Sequence, residues 1–332
     1  MHNKHVRMGI LGCAKVNGFA IFDVIQDVPE ITIDGIASRD GKRAREAALT
    51  YGVQRHYSDY ESLISDPKID AIYIPLPNNL HYSYSIAAIE AGKAVLCEKP
   101  IACNQREALQ MLERSTALGI PIIEAFHYRH HPLALRLEEL INCGEIGRLK
   151  HMDVQFRTPA GIVGPDNIRL DYDLGGGATI DPGCYCINIV RLIAGAEPSV
   201  LSATPILKSD QIDIAMSAEL ILPDGCTAHI ECSLSDDIEA FHQSVKIIGE
   251  SGTISVTNPF LPHLGNRLEI KTPERSWTEI LPTTPSYVYQ LKAFADLLLT
   301  GSPSRTTLED GIKNMKVIDD VYRAAGMRIR GL

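Results

Sequence analysis

Short apolar runs alternate with helical patterns along the first 125 residues of the chain. The runs typical of buried strands are segments 6–11, 31–37, 70–75, 94–97 and 121–124. Strands that alternate with helices of about ten to fifteen residues form βαβ units, whose right-handed crossovers place the strands in parallel. The pattern therefore predicts a doubly wound parallel sheet. Such sheets bind ligands beyond the carboxyl ends of their strands, so the residues that follow each strand are the informative ones.

The rhythm changes after about residue 150, where strand-like segments follow one another with few helices between them. These segments are near 148–157, 199–207, 213–222, 225–233, 243–249 and 252–256. Asp224-Gly225 and Glu250-Ser251-Gly252 stand between such segments and are typical of hairpin turns. We expect a mostly antiparallel sheet with one helix around 178–194 and two closing helices near 286–299 and 308–325.

Composition excludes several classes of function. The 32 Lys and Arg residues against 41 Asp and Glu give a formal charge of −9, whereas binding to a nucleic-acid backbone needs a basic excess. No apolar run reaches the roughly 18 residues of a membrane span, and the N-terminus has no signal-peptide pattern. The eight cysteines form no CxxC pair and no zinc-like cluster, so we expect neither disulfides nor a metal. A cytoplasmic protein without nucleic-acid or membrane partners is expected.

The first strand ends in a glycine-containing turn. A dinucleotide fingerprint uses one glycine for the tight turn, one for approach of the pyrophosphate and one for packing of the helix. Here Gly12 keeps the first position, while Ala14 and Asn17 occupy the other two. A plain strand-to-helix turn explains these residues equally well, but the first βα junction of a parallel sheet favours phosphate binding.

The second strand ends in a basic segment. An NAD site usually places an acidic residue here to hold the ribose diol. In this chain Ser38 and Arg39 come first, and Lys42 and Arg43 follow one turn later. A hydroxyl and a guanidinium suit a 2′-phosphate, so the segment favours NADP(H). Asp40 leaves NAD(H) open, and a solvated basic helix start is the alternative without a cofactor.

Two further strands run into turns that contain proline. The strand 70–75 leads into Pro75-Leu76-Pro77-Asn78, with His81 three residues later, and the strand 94–97 leads into Glu98-Lys99-Pro100. Pro100 prevents continuation of a strand or a helix, so Glu98 and Lys99 lie on a rigid turn at the carboxyl edge of the sheet. From spacing alone, Lys99 is more simply explained as a surface lysine.

A glycine-rich segment opens the isolated helix of the second half. In Gly175–Tyr185, Asp181 is placed to cap the helix and Pro182 suits its first position. Tyr185 then lies four residues after Asp181, on the same side of the helix. A capping aspartate and a packed tyrosine are the simpler explanation of this pair.

Taken together, these motifs resemble the Gfo/Idh/MocA family of oxidoreductases, which includes glucose-fructose oxidoreductase and inositol dehydrogenase. The resemblance covers nearly the whole chain and rests on Gly9–Gly12, Glu98-Lys99-Pro100, Tyr128–Pro132 and Gly175–Tyr185. Tyr185 is similar to the subgroup of NADP-dependent D-xylose 1-dehydrogenases, dimeric dihydrodiol dehydrogenases and nucleotide-sugar 3-ketoreductases. Many inositol dehydrogenase relatives have histidine at this position.

The resemblance implies an N-terminal Rossmann domain over 1–125 and a C-terminal α/β domain over 126–332. The second domain would carry the open, mostly antiparallel sheet, bind a sugar-like substrate and form a homodimer or homotetramer. Loops near 155–172 and 233–242 and the segment 258–266 would line the substrate pocket. The implied cofactor-binding residues are Gly9, Gly12, Cys13, Ala14, Lys15, Val16, Ser38, Arg39, Pro75, Leu76, Asn78, His81, Glu98, Lys99 and Arg129.

The resemblance also implies that Lys99, Tyr185 and Asp181 are catalytic. Tyr185 would exchange a proton with the substrate hydroxyl while hydride moves to or from NADP(H), and NAD(H) remains possible. The ordinary tyrosine pKa of about 10 is too high for an efficient base at neutral pH, and a nearby ammonium such as that of Lys99 lowers it. Asp181 would orient substrate hydroxyls or the lysine, and His127 is the next candidate for proton transfer. No metal is required.

A second hypothesis keeps the fold without catalysis, because some proteins of this family are ligand-sensing regulators that bind NADP without turnover. Loss of the lysine or the tyrosine would favour such a sensor. Both residues are present, so the sequence favours an enzyme.

Overall fold

The computed structural model describes residues 5–332, which divide into two compact units. The first unit contains the chain up to residue 102, together with 106–127 and 287–312, and the second contains 103–105, 128–286 and 313–332. The chain passes from the first unit to the second after residue 127, and the segment 287–312 groups with the first unit.

A six-stranded parallel sheet forms the centre of the first unit, as the alternating pattern predicted. Its order is β3-β2-β1-β4-β5-β6, so the direction of winding reverses between β1 and β4. The strands are β1 Val6–Leu11, β2 Ile31–Ala37, β3 Arg55–Tyr57, β4 Ala71–Ile74, β5 Ala94–Cys97 and β6 Ile122–Glu124. In an open sheet of this kind the crevice at such a reversal is the usual ligand site.

The helices around this sheet follow local signals in the sequence. Asp40 caps α1, and Gly52 ends it with a left-handed φ of 70°. The helices are α1 Gly41–Tyr51, α2 Tyr60–Ile64, α3 His81–Glu90, α4 Gln105–Leu118 and α7 Ser286–Thr300. The stretch after the glycine turn differs from a regular helix, since it forms a π-helical turn at Gly18–Phe22 and a 3-10 turn at Ile25–Asp27.

The late segment 287–312 joins the first unit through its core and through the edge of its sheet. Leu291 and Phe294 of α7 are fully buried in the same apolar cluster as Met8 of β1. At the sheet edge, the Glu124 backbone N–H donates to the Thr306 carbonyl over 3.1 Å. A contact between residues so distant in sequence leaves no local pattern, so the sequence did not indicate it.

An eight-stranded mixed sheet forms the second unit, in the order β14-β13-β12-β11-β7-β10-β9-β8. All neighbouring strands are antiparallel except β7 and β10, so the expected mostly antiparallel sheet is confirmed. The strands are β7 Leu149–Pro159, β8 Ser199–Ser209, β9 Ile212–Ile221, β10 Thr227–Asp236, β11 His242–Gly249, β12 Thr253–Thr257, β13 Arg267–Lys271 and β14 Ser276–Glu279. The helices are α5 Pro132–Asn142, α6 Pro182–Ala194 and α8 Leu308–Ala324.

The two faces of this sheet differ because side chains alternate along each strand. On β7, Met152 and Val154 are fully buried, and α6 packs over this strand and β10. The neighbouring Asp153 and Gln155 point to the other face and are partly exposed. Within residues 5–332, no helix combines the length and the apolar character that a membrane crossing requires.

Candidate active site

The glycine turn after β1 closes through an asparagine. Gly12 has a φ of +95°, which favours glycine, and its N–H donates to the Ala37 carbonyl over 2.8 Å. The Asn17 amide nitrogen donates to the Gly12 carbonyl over 2.9 Å, and the Asn17 side chain is 1% exposed. Asn17 therefore stabilises the turn from the position where the fingerprint has its third glycine, a role that the sequence did not reveal.

Gly9 lies within β1 and packs closely against α2. A Cβ atom at this position would lie 2.5 Å from the Leu63 side chain of α2. The missing side chain lets the helix pack closely on β1, inside the strand rather than at its end. Of the turn residues, Lys15 is exposed, Cys13 and Ala14 are partly exposed, and Val16 packs partly against the core.

In the segment after β2 the basic side chains are exposed to solvent, and the acidic side chain of Asp40 is engaged in hydrogen bonds to the backbone. The Asp40 carboxylate accepts the Lys42 and Arg43 N–H groups over 2.9 and 3.4 Å, so it caps α1. Ser38 is buried and Arg39 is exposed. These residues fit the 2′-phosphate of NADP(H), because a hydroxyl, a guanidinium and a helix N-terminus all favour an anion. Arg39 also partly offsets the rise in the pKa of Tyr60 that burial causes.

His81 differs from expectation in its surroundings. Its side chain is fully buried, and its ring nitrogens lie 2.7 Å from the Pro100 carbonyl and 2.9 Å from the Leu76 carbonyl. Burial lowers the pKa of His81 to about 4, so the ring is neutral at physiological pH. The neutral ring has a single N–H, which donates to one of the two carbonyls, and His81 lies between the turn after β4 and the turn after β5.

The turn that carries Lys99 is anchored through Glu98. The Tyr73 hydroxyl donates to one Glu98 carboxylate oxygen over 2.7 Å, and the other oxygen accepts the Lys99 N–H over 3.3 Å. Glu98 and Lys99 are both partly exposed, directly after β5. The lysine therefore lies at the carboxyl edge of the parallel sheet, as the sequence predicted.

His127 and Tyr287 form a ring contact in the first unit, and the charge of Glu98 acts on Tyr287. His127 is 2% exposed, and its ring centre lies 4.1 Å from that of Tyr287 on α7. Burial, helped by the negative charge of Glu98, raises the pKa of Tyr287, which keeps its phenol protonated. Tyr287 comes from the segment that joins the first unit only in three dimensions, so sequence reasoning missed it.

In the second unit, Tyr185 lies on the first turn of α6 inside an aromatic cluster. The ring centres of Phe260, Phe156 and Tyr128 lie 5.3, 5.6 and 5.9 Å from that of Tyr185, which is 7% exposed. Phe156 and Phe260 fall within the segments expected to line the substrate pocket, but no pattern in the sequence identified them individually.

Asp181 differs from the expected helix cap. It precedes α6 and Pro182 occupies the first position of the helix, but the carboxylate makes no capping hydrogen bond. Instead it accepts a hydrogen bond from Arg169 Nε over 2.5 Å, and the same pair forms an ion pair. A side chain committed to Arg169 is held in one orientation, four residues before Tyr185. Arg169 was not recognised from the sequence.

Arg129, expected at the cofactor, also contacts α6. Its Nη1 donates to the Asn188 side-chain oxygen over 3.3 Å, and the same oxygen accepts the Tyr128 hydroxyl over 2.6 Å. Arg129 and Tyr128 thus contact α6 at Asn188, about one turn after Tyr185. Among residues 5–332, no group of three or more His, Cys, Asp and Glu side chains could hold a metal ion.

The structure thus collects the sequence candidates into two groups. In the first unit, Gly12, Ser38, Arg39, Pro75, Leu76, Asn78, Glu98 and Lys99 follow strands β1, β2, β4 and β5 at one edge of the sheet. In the second unit, Asp181 and Tyr185 begin α6. The candidates of the first unit thus share one sheet edge, and those of the second unit share one helix start.

Comparisons with known proteins agree with this arrangement. Residues 6–125 match the family model "Oxidoreductase family, NAD-binding Rossmann fold", and residues 134–255 match the "GFO/IDH/MocA C-terminal domain". D-xylose 1-dehydrogenase (NADP(+)) 2 of Haloferax volcanii is 34% identical over 321 residues, which is 96% of each chain. Trans-1,2-dihydrobenzene-1,2-diol dehydrogenase of Mus musculus is 30% identical over 70% of each chain.

Among solved structures, KijD10, a 3-ketoreductase from Actinomadura kijaniata in complex with NADP and TDP-benzene, is similar over the whole fold. The TM-score is 0.88 at 26% identity, and the match covers 96% of this chain and 98% of that one.

Proposed function

Because the chain belongs to the Gfo/Idh/MocA family of oxidoreductases, we propose that it transfers a hydride between NADP(H) and a hydroxyl or keto carbon of a sugar-like substrate. The observation that carries the proposal is the position of Lys99, in a turn anchored by Glu98 at the ligand-binding edge of the parallel sheet. The named relatives that act on sugars and the neighbouring structure with NADP support the substrate class and the cofactor.

The residues of the first unit account for cofactor binding. The turn at Gly12 and the N-terminal end of the following segment would take the pyrophosphate, and Ser38 and Arg39 would take the 2′-phosphate. The bound nicotinamide supplies the hydride acceptor or donor, so the protein supplies orientation and proton transfer.

Lys99 and Tyr185 divide the proton chemistry. Lys99 holds the reacting oxygen and stabilises negative charge on it, or on the Tyr185 phenolate. Tyr185 takes the hydroxyl proton during oxidation and returns it during reduction. Asp181, held by Arg169, orients substrate hydroxyls.

The direct test is a screen of pentoses, hexoses, nucleotide-linked keto-sugars and dihydrodiols in both directions, with NADP(H) and NAD(H). Turnover is followed by the absorbance of the reduced nicotinamide. Saturable turnover of a sugar-like substrate with NADP(H) is expected. Tight NADP(H) binding with sugar binding but no turnover across the panel favours the sensor of the same fold and contradicts the enzyme.

Arg39→Ala is expected to weaken NADP(H) binding about ten- to a hundredfold and to leave NAD(H) binding nearly unchanged. A charge-assisted hydrogen bond to phosphate contributes about 1.5–3 kcal/mol, and only NADP(H) carries the 2′-phosphate. Fluorescence titration of both reduced cofactors measures the effect. Arg45→Ala is the matched control, since Arg45 is an exposed arginine on α1, the helix that follows Arg39, and its loss should affect neither cofactor. Equal losses for both cofactors in Arg39→Ala would show that Arg39 does not read the phosphate.

A homo-oligomer is expected, with a dimer favoured over a tetramer. The face of the second sheet opposite α6 carries partly exposed side chains, and Ile206 on the edge strand β8 is 61% exposed. Apolar surface in such a position is stabilised when a second subunit covers it. Light scattering should report a multiple of the 36.5 kDa chain mass, and Ile206→Asp should reduce it. A monomer at micromolar concentration would contradict this expectation.

A further inference from the structure

Arg330, three residues from the end of the chain, is fully buried in the second unit. Its Nη2 atom donates to Asp213 Oδ1 over 2.8 Å, and both side chains are 0% exposed. Its Nε donates to the Gly176 carbonyl over 2.6 Å, and its Nη1 donates to the Arg328 carbonyl over 2.9 Å. A buried ion pair is retained only when further hydrogen bonds replace the lost water, and Arg330 has them.

The other oxygen atoms of Asp213 accept hydrogen bonds from the same turn that Arg330 contacts. Its Oδ2 atom accepts both the Thr179 N–H and the Thr179 hydroxyl over 2.7 Å. Its backbone carbonyl accepts the Ala178 N–H over 2.8 Å. The two members of the ion pair therefore hold Gly176, Ala178 and Thr179, two to five residues before Asp181.

The surroundings of the pair fit it closely. The Arg330 guanidinium carbon lies 4.1 Å from the Tyr322 ring centre and 5.0 Å from that of Tyr172. Gly177 has a φ of +130°, and a Cβ atom there would lie 2.8 Å from Arg330 Nη2 and still closer to Asp213. The glycine at 177 is thus required by the ion pair as well as by its backbone conformation.

The turn transmits its position to the start of α6. The Asp181 N–H donates to the Gly177 carbonyl over 3.2 Å, and the Gly183 N–H donates to the Ala178 carbonyl over 2.9 Å. A displacement of the turn therefore moves the first helical residues, which include Tyr185. A misplacement of a reacting group by about 1 Å is enough to reduce a rate about a hundredfold.

We propose that Arg330 and Asp213 are positioning residues that fix the turn 175–181 and thereby orient Asp181 and Tyr185 for proton transfer. The inference rests on the proposed function where it gives Tyr185 that task. Arg330 would then help to position the reacting groups from a place 154 residues away from Gly176 in sequence.

The test uses the double variant Arg330→Gln/Asp213→Asn, which removes both buried charges and keeps groups able to form hydrogen bonds. We expect it to fold, as judged by circular dichroism, and to bind NADPH like the unmodified protein. Its kcat should fall about tenfold or more, because the turn is no longer held. Amides of 177–181 should exchange hydrogen for deuterium faster, while peptides of the first unit stay unchanged.

Two further variants separate positioning from general destabilisation. Arg323→Gln removes an exposed arginine of α8 and should change neither kcat nor exchange. Arg330→Lys keeps the charge but loses the planar guanidinium, so its kcat should lie between those of the double variant and the unmodified protein. If the double variant does not fold, Arg330→Lys carries the same comparison.

A folded variant with unchanged kcat and unchanged exchange of 177–181 overturns the inference. Lower thermal stability with unchanged kcat also overturns it, because the pair would then be purely structural. Failure of the proposed function is seen separately, as absence of turnover in the unmodified protein. In that case exchange still decides whether the ion pair holds the turn.

Discussion

Replacing Tyr185 by phenylalanine should lower turnover about 10²- to 10⁴-fold, the usual size of a general acid–base contribution. The change removes one hydroxyl and keeps the ring that packs against Phe156 and Phe260. Folding and binding of NADPH should therefore survive while kcat falls. Steady-state kinetics on the substrate found by the screen, with cofactor titration alongside, measures the effect.

Tyr128→Phe is the matched control, because Tyr128 is a buried tyrosine of the same aromatic cluster. It loses the hydrogen bond from its hydroxyl to Asn188, which is worth about 1 kcal/mol of stability, and leaves the proposed proton carrier in place. Its loss of turnover should be far smaller. Near-normal turnover of Tyr185→Phe would remove Tyr185 from the mechanism, and Lys99 or His127 would become the next candidate.

Lys99→Ala should reduce turnover at least as strongly as Tyr185→Phe. It removes both the positive charge and the contact to the reacting oxygen, while the anchor of the turn through Tyr73 and Glu98 remains. Primary amines added to the Lys99→Ala variant should restore part of the rate if the ammonium acts directly. Lys99→Arg should retain cofactor binding but not full turnover, since the larger, planar guanidinium places its charge and its donors differently from the ammonium.

The two losses should not add in the Lys99→Ala/Tyr185→Phe double variant, because both side chains serve one proton transfer. A double variant about as slow as the slower single variant is expected. Fully multiplicative losses would show that the residues act in separate steps, even if each is important.

The positions of most site candidates could be predicted because strand ends are local features. Pro100 fixes the end of β5, and the residues after β1 and β2 follow from the apolar runs before them. In a parallel sheet all these ends meet at one edge, so a one-dimensional pattern was enough to group Gly12, Ser38 and Lys99. The sequence left Asp40 open as a ligand for NAD(H). It did not indicate that the Asp40 carboxylate caps α1, because capping depends on backbone geometry.

Three residues show what local sequence patterns do not predict. His81 follows β4 as a ligand-binding residue would, but it is buried between two backbone carbonyls. Gly9 belongs to the glycine motif, but it serves the packing of Leu63. Asp181 was placed correctly before α6, but its partner is Arg169, whose position depends on how the preceding loop folds back.

The sequence by itself determined the doubly wound sheet and the turn that carries Lys99, because strand periodicity and proline act over a few residues. The family followed from the resemblance of short motifs. Only the tertiary structure decided which distant segments complete each unit. The late segment 287–312 contributes Tyr287 to the first unit. In the second unit, Arg330 contacts the turn that precedes Tyr185. Burial, packing and paired charges connect residues without regard to their separation along the chain, so no local pattern records them.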